Sequence, residues 1–160
     1  AEDRLIPDIL KAFESNKSVV IRNPQATRPW QHVLEPLSGY LMLAEKLYNS
    51  PSKFSEGWNF GPNYQDVKPV GSILEYMTKL WPGSSWQLDK SENPHEANLL
   101  KLDISKAKSK LQWKPVWSLE TALNKIVKWH TSWIAQASST KELCIKEINQ
   151  YIEDSKNGKI

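Results

Sequence analysis

Cysteine is nearly missing from this chain of 160 residues: Cys144 stands alone. No internal disulfide can form, which excludes a disulfide-stapled secreted module and points to a reducing compartment, the cytoplasm. Long apolar runs are missing too, and none approaches the roughly 20 residues that a membrane span needs. Glycine is sparse. The six glycines stand at 39, 57, 61, 71, 83 and 158, and none falls in the G-x-G-x-x-G spacing with which a strand-to-helix turn cradles a dinucleotide. There is no P-loop and no G-x-S-x-G nucleophile elbow. The three histidines, His32, His95 and His130, stand far apart without carboxylates or thiols at ligand spacing, so no metal site is expected. No apolar leader follows Ala1; Glu2, Asp3 and Arg4 come at once. With no initiator Met and a helical pattern from the start, the chain is expected to be the back portion of a longer protein.

What is present fits a globular chain with one core of useful size. Hydrophobic residues make up 39% and charged residues 24%, too apolar for a disordered segment. The net charge is +3, from 21 Lys and Arg against 18 Asp and Glu. The lysines are scattered, not striped, so neither a nucleic-acid partner nor a membrane surface is expected. A modest anion such as a diphosphate suits this balance. A slightly basic solvated surface is the plainer reading of the charge alone.

Short strands alternate with helices along the chain. Ile6, Ile9, Leu10 and Phe13 predict a helix over 4–14, with Asp3 available as its cap. Residues 18–22 (SVVIR) and 30–33 read as short strands. Leu37, Tyr40, Leu41, Ala44, Leu47 and Tyr48 trace one helix face, with Pro36 in the first turn. Residues 58–60 read as a buried strand. Ser72 predicts a helix start, with Ile73, Met77, Leu80 and Trp81 inward. Residues 84–88 and 99–102 read as short strands. Ser105 predicts a short helix through Leu111, and Ser118 a longer one with Leu119, Ala122, Leu123, Ile126, His130, Trp133 and Ile134 inward. Ser139 and Glu142 have capping-box spacing before Cys144, Ile148 and Tyr151, and 155–160 are expected to fray. The class is α/β or α+β, with too few strand residues for a whole sheet.

Few residues offer chemistry. Tyr64 and Lys68 have the Tyr-x-x-x-Lys spacing of some oxidoreductases, a device that needs one helix face. Pro62 and Pro69 bracket the pair and predict a loop instead. Cys144 reads as a small buried hydrophobe. Trp113, Trp117, Trp129 and Trp133 read as packing residues, and His130 as semi-buried. The stretch RNPQATRPWQHV, residues 22–33, is the most informative. A strand ending at Arg22, a Pro turn and then Arg28 would set two guanidiniums on adjacent rims of a cleft. That donor fork suits phosphate oxygens, and its flat face can stack on a base. Ordinary surface ion pairs are the alternative.

The strings Glu2-Asp3-Arg4-Leu5-Ile6-Pro7-Asp8-Ile9-Leu10, Val20-Ile21-Arg22-Asn23-Pro24 and Arg28-Pro29-Trp30-Gln31-His32-Val33 resemble nucleotide-sugar enzymes. These belong to the extended short-chain dehydrogenase/reductase family, and the likeness is to their C-terminal part. Leu34-Glu35-Pro36-Leu37-Ser38-Gly39-Tyr40, Trp58-Asn59-Phe60-Gly61-Pro62 and Pro94-His95-Glu96-Ala97 narrow the resemblance to the branch of 4,6-dehydratases acting on CDP-sugars. Leu102-Asp103, Ser105-Lys106-Ala107 and Trp113-Lys114-Pro115 extend it to about residue 135.

The resemblance implies an α/β fold, the substrate-binding part of an extended Rossmann-type enzyme. An N-terminal dinucleotide-binding domain of the same protein would hold NAD, and no cofactor is expected on this chain. Residues 1–135 would form the nucleotide-sugar-binding part with the last Rossmann elements, and 136–160 a C-terminal helix and tail. Arg28 would bind the substrate diphosphate with Asn59 nearby, Arg4 and Leu5 would lie along the nucleotide, and Ile21 and Arg22 would border the base. His95 stands where relatives place a substrate-binding Arg motif. The implied reaction moves a hydride from sugar C4 to NAD, loses water across C5–C6 and returns the hydride to C6, giving CDP-4-keto-6-deoxyglucose. A UDP- or dTDP-sugar epimerase or dehydratase is the rival within the family, and an RNA-binding module the rival outside it. A homo-oligomer stays open, because apolar faces are expected to be exposed.

Overall fold

A computed structural model describes residues 4–89, 91 and 99–157. Helix α1 spans Leu5–Glu14 and buries Ile9, Leu10 and Phe13, the 3–4 spacing that the sequence shows. Its N-cap is Arg4, which makes no side-chain cap; the expected cap, Asp3, lies outside the described residues. Strand β1, Val19–Ile21, pairs in parallel with β4, Trp86–Leu88, with Val19 opposite Trp86. Strand β2, Thr27–Pro29, pairs antiparallel with β3, Val67–Pro69, setting Arg28 opposite Lys68.

Helix α2 is Leu34–Asn49, α3 is Pro51–Phe54, α4 is Val70–Leu80, α5 is Leu119–Ile134 and α6 is Thr140–Asn157. One core gathers α1, β1, α4 and α5 around Phe13, Ile73, Leu74 and Met77. A second joins Phe54, Phe60, Ile104, Leu111 and Trp113, with Met42, Leu43 and Leu47 of α2 against it. Each fully buried side chain of this size stabilises the fold by roughly 1.5–3 kcal/mol. Among the described residues no helix is long and apolar enough to cross a membrane.

Several sequence expectations are corrected. The strand expected at 30–33 lies earlier, in β2: the Trp30 indole N–H donates to the Lys68 carbonyl at 2.8 Å, and His32 Nδ1 accepts the Leu34 N–H at 3.3 Å, starting α2. Residues 58–60 are not a strand, because no described strand runs alongside; the Phe60 carbonyl takes the Gln31 side-chain N–H instead. Of 99–102 only Leu99 pairs, in a single bridge to Thr27. Helix α4 starts at Val70, not at Ser72. The Val70 and Gly71 N–H groups donate to the Ala26 and Pro24 carbonyls, so the first two donors of the helix are satisfied without a serine cap. The short helix expected through Leu111 is present, π-helical over Ala107–Leu111, but Asp103 and not Ser105 caps it, accepting the Ser105 N–H at 2.8 Å.

Two helix faces also differ from expectation. Leu37, Tyr40, Leu41 and Tyr48 of α2 face outward, Leu41 at 74% and Tyr48 at 90% exposure. Its inward side carries the buried Glu35 and Gly39 together with Met42, Leu43 and the expected Leu47, which pack against the second core. Cys144 and Ile148 of α6 are exposed while Tyr151 is buried. Trp133 and Ile134 of α5 likewise lie on its open side. The capping signals hold: Ser118 accepts the Thr121 N–H, and Ser139 exchanges hydrogen bonds with Glu142. Helix α6 continues to Asn157, past the start of the expected frayed tail; residues 158–160 lie outside the described part.

Candidate functional site

The site is a cleft where the end of β1 faces the start of α1. Ile21 closes β1 and Arg22 follows it; Asn23 and Pro24 then turn the chain. That turn is held by the Ala26 N–H on the Asn23 carbonyl at 3.2 Å and by the two bonds from the head of α4. Ala26 is buried beneath it, and the chain leaves along β2 with Arg28 at its centre. The resulting open cleft has a volume of about 470 Å³ and is lined by Leu5, Asp8, Ile21, Arg22, Arg28 and Trp30, among others.

The cleft thus brings together four of the residues singled out in the sequence, Leu5, Ile21, Arg22 and Arg28. Arg4 is exposed at the head of α1 and does not line it. Asn59 is exposed and donates to the Asp103 carbonyl at 3.3 Å, also away from the cleft wall. His95 lies outside the described residues. Asp8 and Trp30 line the cleft without having been singled out. For Asp8 the signal was there: it stands three residues after Leu5, on the same helix face.

Arg28 is half-buried, and its Nη1 donates to the Thr27 carbonyl at 3.0 Å. Arg22 is exposed. Two guanidiniums with apolar walls from Leu5, Ile21 and Trp30 can grip a dianion while a flat ring lies against the walls.

Behind the cleft, the chain from β2 runs through Trp30, Gln31 and His32 into a buried polar knot. Glu35 is fully buried at 0% exposure. Its carboxylate accepts the Val116 N–H at 3.0 Å, the Trp117 N–H at 2.7 Å and the Tyr151 hydroxyl at 2.7 Å. Ser38 links Tyr151 at 3.1 Å to the Trp113 indole N–H at 3.0 Å. Trp117 stands edge-on to both His32 and Tyr151. His32 Nε2 faces Glu147 of α6 at 3.5 Å. Burial above all pushes the Tyr151 phenol well above its ordinary pKa; the Ser38 hydrogen bond opposes it, and the Glu35 carboxylate adds to the rise. The knot ties the head of α2 to α6 and so braces the strand that carries Arg28.

Tyr64 and Lys68 do not share a helix face. Tyr64 opens a single 3₁₀ turn and Lys68 sits in β3; the ammonium of Lys101 lies 4.6 Å from the Tyr64 ring centroid. Trp113 and Trp117 are buried, and Trp129 stacks on Trp133. His130 is half-buried between Trp81 and Trp133.

No protein-family model matches the chain. Among characterised proteins it is similar to CDP-glucose 4,6-dehydratase of Salmonella typhimurium, 54% identical over 154 residues, which is 95% of this chain and 42% of that enzyme. It is 25% identical to UDP-glucuronic acid decarboxylase 1 of Xenopus tropicalis, over 95% of this chain and 32% of that protein. The chain therefore spans less than half the length of these relatives. Among solved structures, UDP-glucuronic acid 4-epimerase from Bacillus cereus, bound to a fluorinated UDP-sugar and NAD, superposes with a TM-score of 0.69 at 21% identity. The match covers 82% of this chain and 40% of that one. UDP-N-acetylglucosamine 4-epimerase from Bacillus cereus gives a TM-score of 0.58 at 16% identity, covering 82% and 44%. Over nearly its whole length the chain is thus a relative of part of CDP-glucose 4,6-dehydratase, with the α/β fold of the C-terminal part of extended short-chain dehydrogenase/reductase epimerases.

Proposed function

We propose that this chain is the nucleotide-sugar-binding part of an NAD-dependent CDP-glucose 4,6-dehydratase. The observation that carries the reading is the convergence of Leu5, Ile21, Arg22 and Arg28 on one cleft, in a chain 54% identical to that enzyme over 95% of its length. On this reading Arg28 holds the diphosphate, Arg22 and Ile21 border the base, and Leu5 and Arg4 lie along the nucleotide. The family resemblance sets Asn59 near the diphosphate and gives His95 the place of a substrate-binding Arg motif, toward phosphate or ribose. Residues 1–135 form the binding unit, and the segment 136–160 is a C-terminal brace.

The described residues do not fit NAD. Strand β1 of the parallel pair runs out through Arg22-Asn23-Pro24, not through a glycine-rich turn at a helix N-terminus. On the proposed reading the dinucleotide belongs to an N-terminal Rossmann domain of the same protein, and this chain alone is catalytically silent. Its part is positioning: a diphosphate fixed on a braced strand orients the remote hexose, so binding energy far from the reacting carbons serves the reaction.

A uridine-nucleotide sugar is the second reading, favoured by the UDP-sugar enzymes among the relatives. Isothermal titration of the chain with CDP, UDP and dTDP separates the two. Tightest binding of CDP supports the first reading, and equal affinity for all three removes the case for cytidine. A charged hydrogen bond to phosphate contributes about 1.5–3 kcal/mol. Arg28→Ala is therefore expected to weaken CDP by about one to two orders of magnitude, and an unchanged affinity overturns the proposal.

A further inference from the structure

We propose that Asp8 is the residue by which the cleft selects cytosine over uracil and thymine, its carboxylate accepting a hydrogen bond from the 4-amino group of the base. The inference rests on the nucleotide-binding reading above and adds to it the determinant of base choice.

Asp8 lies three residues beyond Leu5 on α1, and both line the cleft with Arg22 and Arg28. It is the one carboxylate among the described residues that do so. Neither Asp8 nor Arg22 takes part in the ion pairs formed among the described residues. An acid in a cleft that takes a diphosphate opposes binding unless the ligand brings it a hydrogen-bond donor. Of the pyrimidine bases only cytosine does so at ring position 4, where it carries an amino group; uracil and thymine carry a carbonyl oxygen there. A carboxylate accepts from the former and repels the latter, so one group supplies both the attraction and the rejection. The remaining cytosine edge, N3 and O2, consists of acceptors, and Arg22, which lines the same cleft, supplies only donors.

The ribose hydroxyls are the competing donors for Asp8, and the test separates them from the base. Isothermal titration is run on the chain with CDP, UDP and the diphosphate of the pyrimidin-2-one riboside, which is cytidine without its 4-amino group. The wild type is expected to bind CDP at least about tenfold more tightly than either of the others. Asp8→Asn, which offers a donor as readily as an acceptor, is expected to bring CDP and UDP within about threefold of each other, and Asp8→Ala to lower CDP to the level of UDP. An equal loss for CDP and UDP in the variants, as a ribose contact gives, overturns the proposal. So does an unchanged preference, or pyrimidin-2-one binding as tight as CDP; that last arm needs no substitution. Failure of the wild type to bind any of these diphosphates defeats the nucleotide-binding reading itself.

Discussion

The hydroxyl of Tyr151 donates to the Glu35 carboxylate at 2.7 Å, joining α6 to the head of α2 across 116 positions of chain. Glu35 has no exposure, so its acceptors are either used or wasted. Replacing Tyr151 with Phe removes one of three donors and is expected to cost about 1–2 kcal/mol. Glu35→Gln keeps a single acceptor oxygen for two backbone N–H groups, at Val116 and Trp117. It is expected to cost more, about 1–3 kcal/mol for the stranded group. Urea denaturation followed by tryptophan fluorescence measures both. A midpoint shift in Tyr151→Phe equal to or larger than that in Glu35→Gln would show that the carboxylate is not the hub.

The same phenol makes stability depend on alkaline pH. Its folded pKa is raised by burial and by Glu35 above the ordinary 10.0 of a tyrosine. The unfolded chain therefore loses its proton first. The contribution is fully present below about pH 10 and is lost as pH climbs toward the raised folded value. Wild-type stability is expected to fall above pH 10 more steeply than that of Tyr151→Phe. Parallel denaturation midpoints between pH 9 and 11 for the two proteins would refute this.

What could be read from the sequence was what is local. Ser118 and the Ser139–Glu142 pair announce their helices because a cap bonds within three residues. The stripe Ile9, Leu10, Phe13 marks the buried face of α1 because an apolar period there meets an apolar core. Arg22 and Arg28 were legible as cleft rims because only a short Pro turn separates them. Glu35 was not, since its partners lie 81, 82 and 116 residues away and a carboxylate in a helix start ordinarily signals solvent. The stripe Leu37, Tyr40, Leu41, Tyr48 shows the limit of periodicity: it identifies an apolar face without saying whether this chain covers it. Cys144 fails for a related reason, because α6 turns Tyr151 inward and leaves Cys144 open.

Gly39 and Gly57 make a matched pair for testing the second core. A Cβ on Gly39 would overlap the ring of Phe60. That ring has little room to move, being edge-on to Trp113 at 5.0 Å and to Tyr40 at 5.5 Å. Overpacking costs about 1–3 kcal/mol, against a gain of up to about 1 kcal/mol from replacing a helical glycine. Gly39→Ala is thus expected to destabilise. Gly57→Ala meets nothing within 4 Å and is expected to be neutral or slightly stabilising. Thermal melts of both variants check the contrast, and a Gly39→Ala protein as stable as wild type would mean that Phe60 yields.

The outward face of α2 sets the solution behaviour of the isolated chain. Val33, Leu37, Tyr40, Leu41 and Tyr48 are all exposed, and with the exposed Ala44 the positions 33, 37, 41, 44 and 48 follow at steps of three or four, a continuous stripe and not scattered single residues. Burying a stripe of this kind between two copies removes apolar surface at about 25 cal/mol per Å². The chain is therefore expected to self-associate as concentration rises. Leu37→Glu and Leu41→Glu together leave both cores untouched and place two charges on the stripe, so they are expected to restore a monomer without lowering the denaturation midpoint. Sedimentation velocity over a range of concentrations decides: a wild-type chain that stays monomeric throughout would show that this face does not drive association.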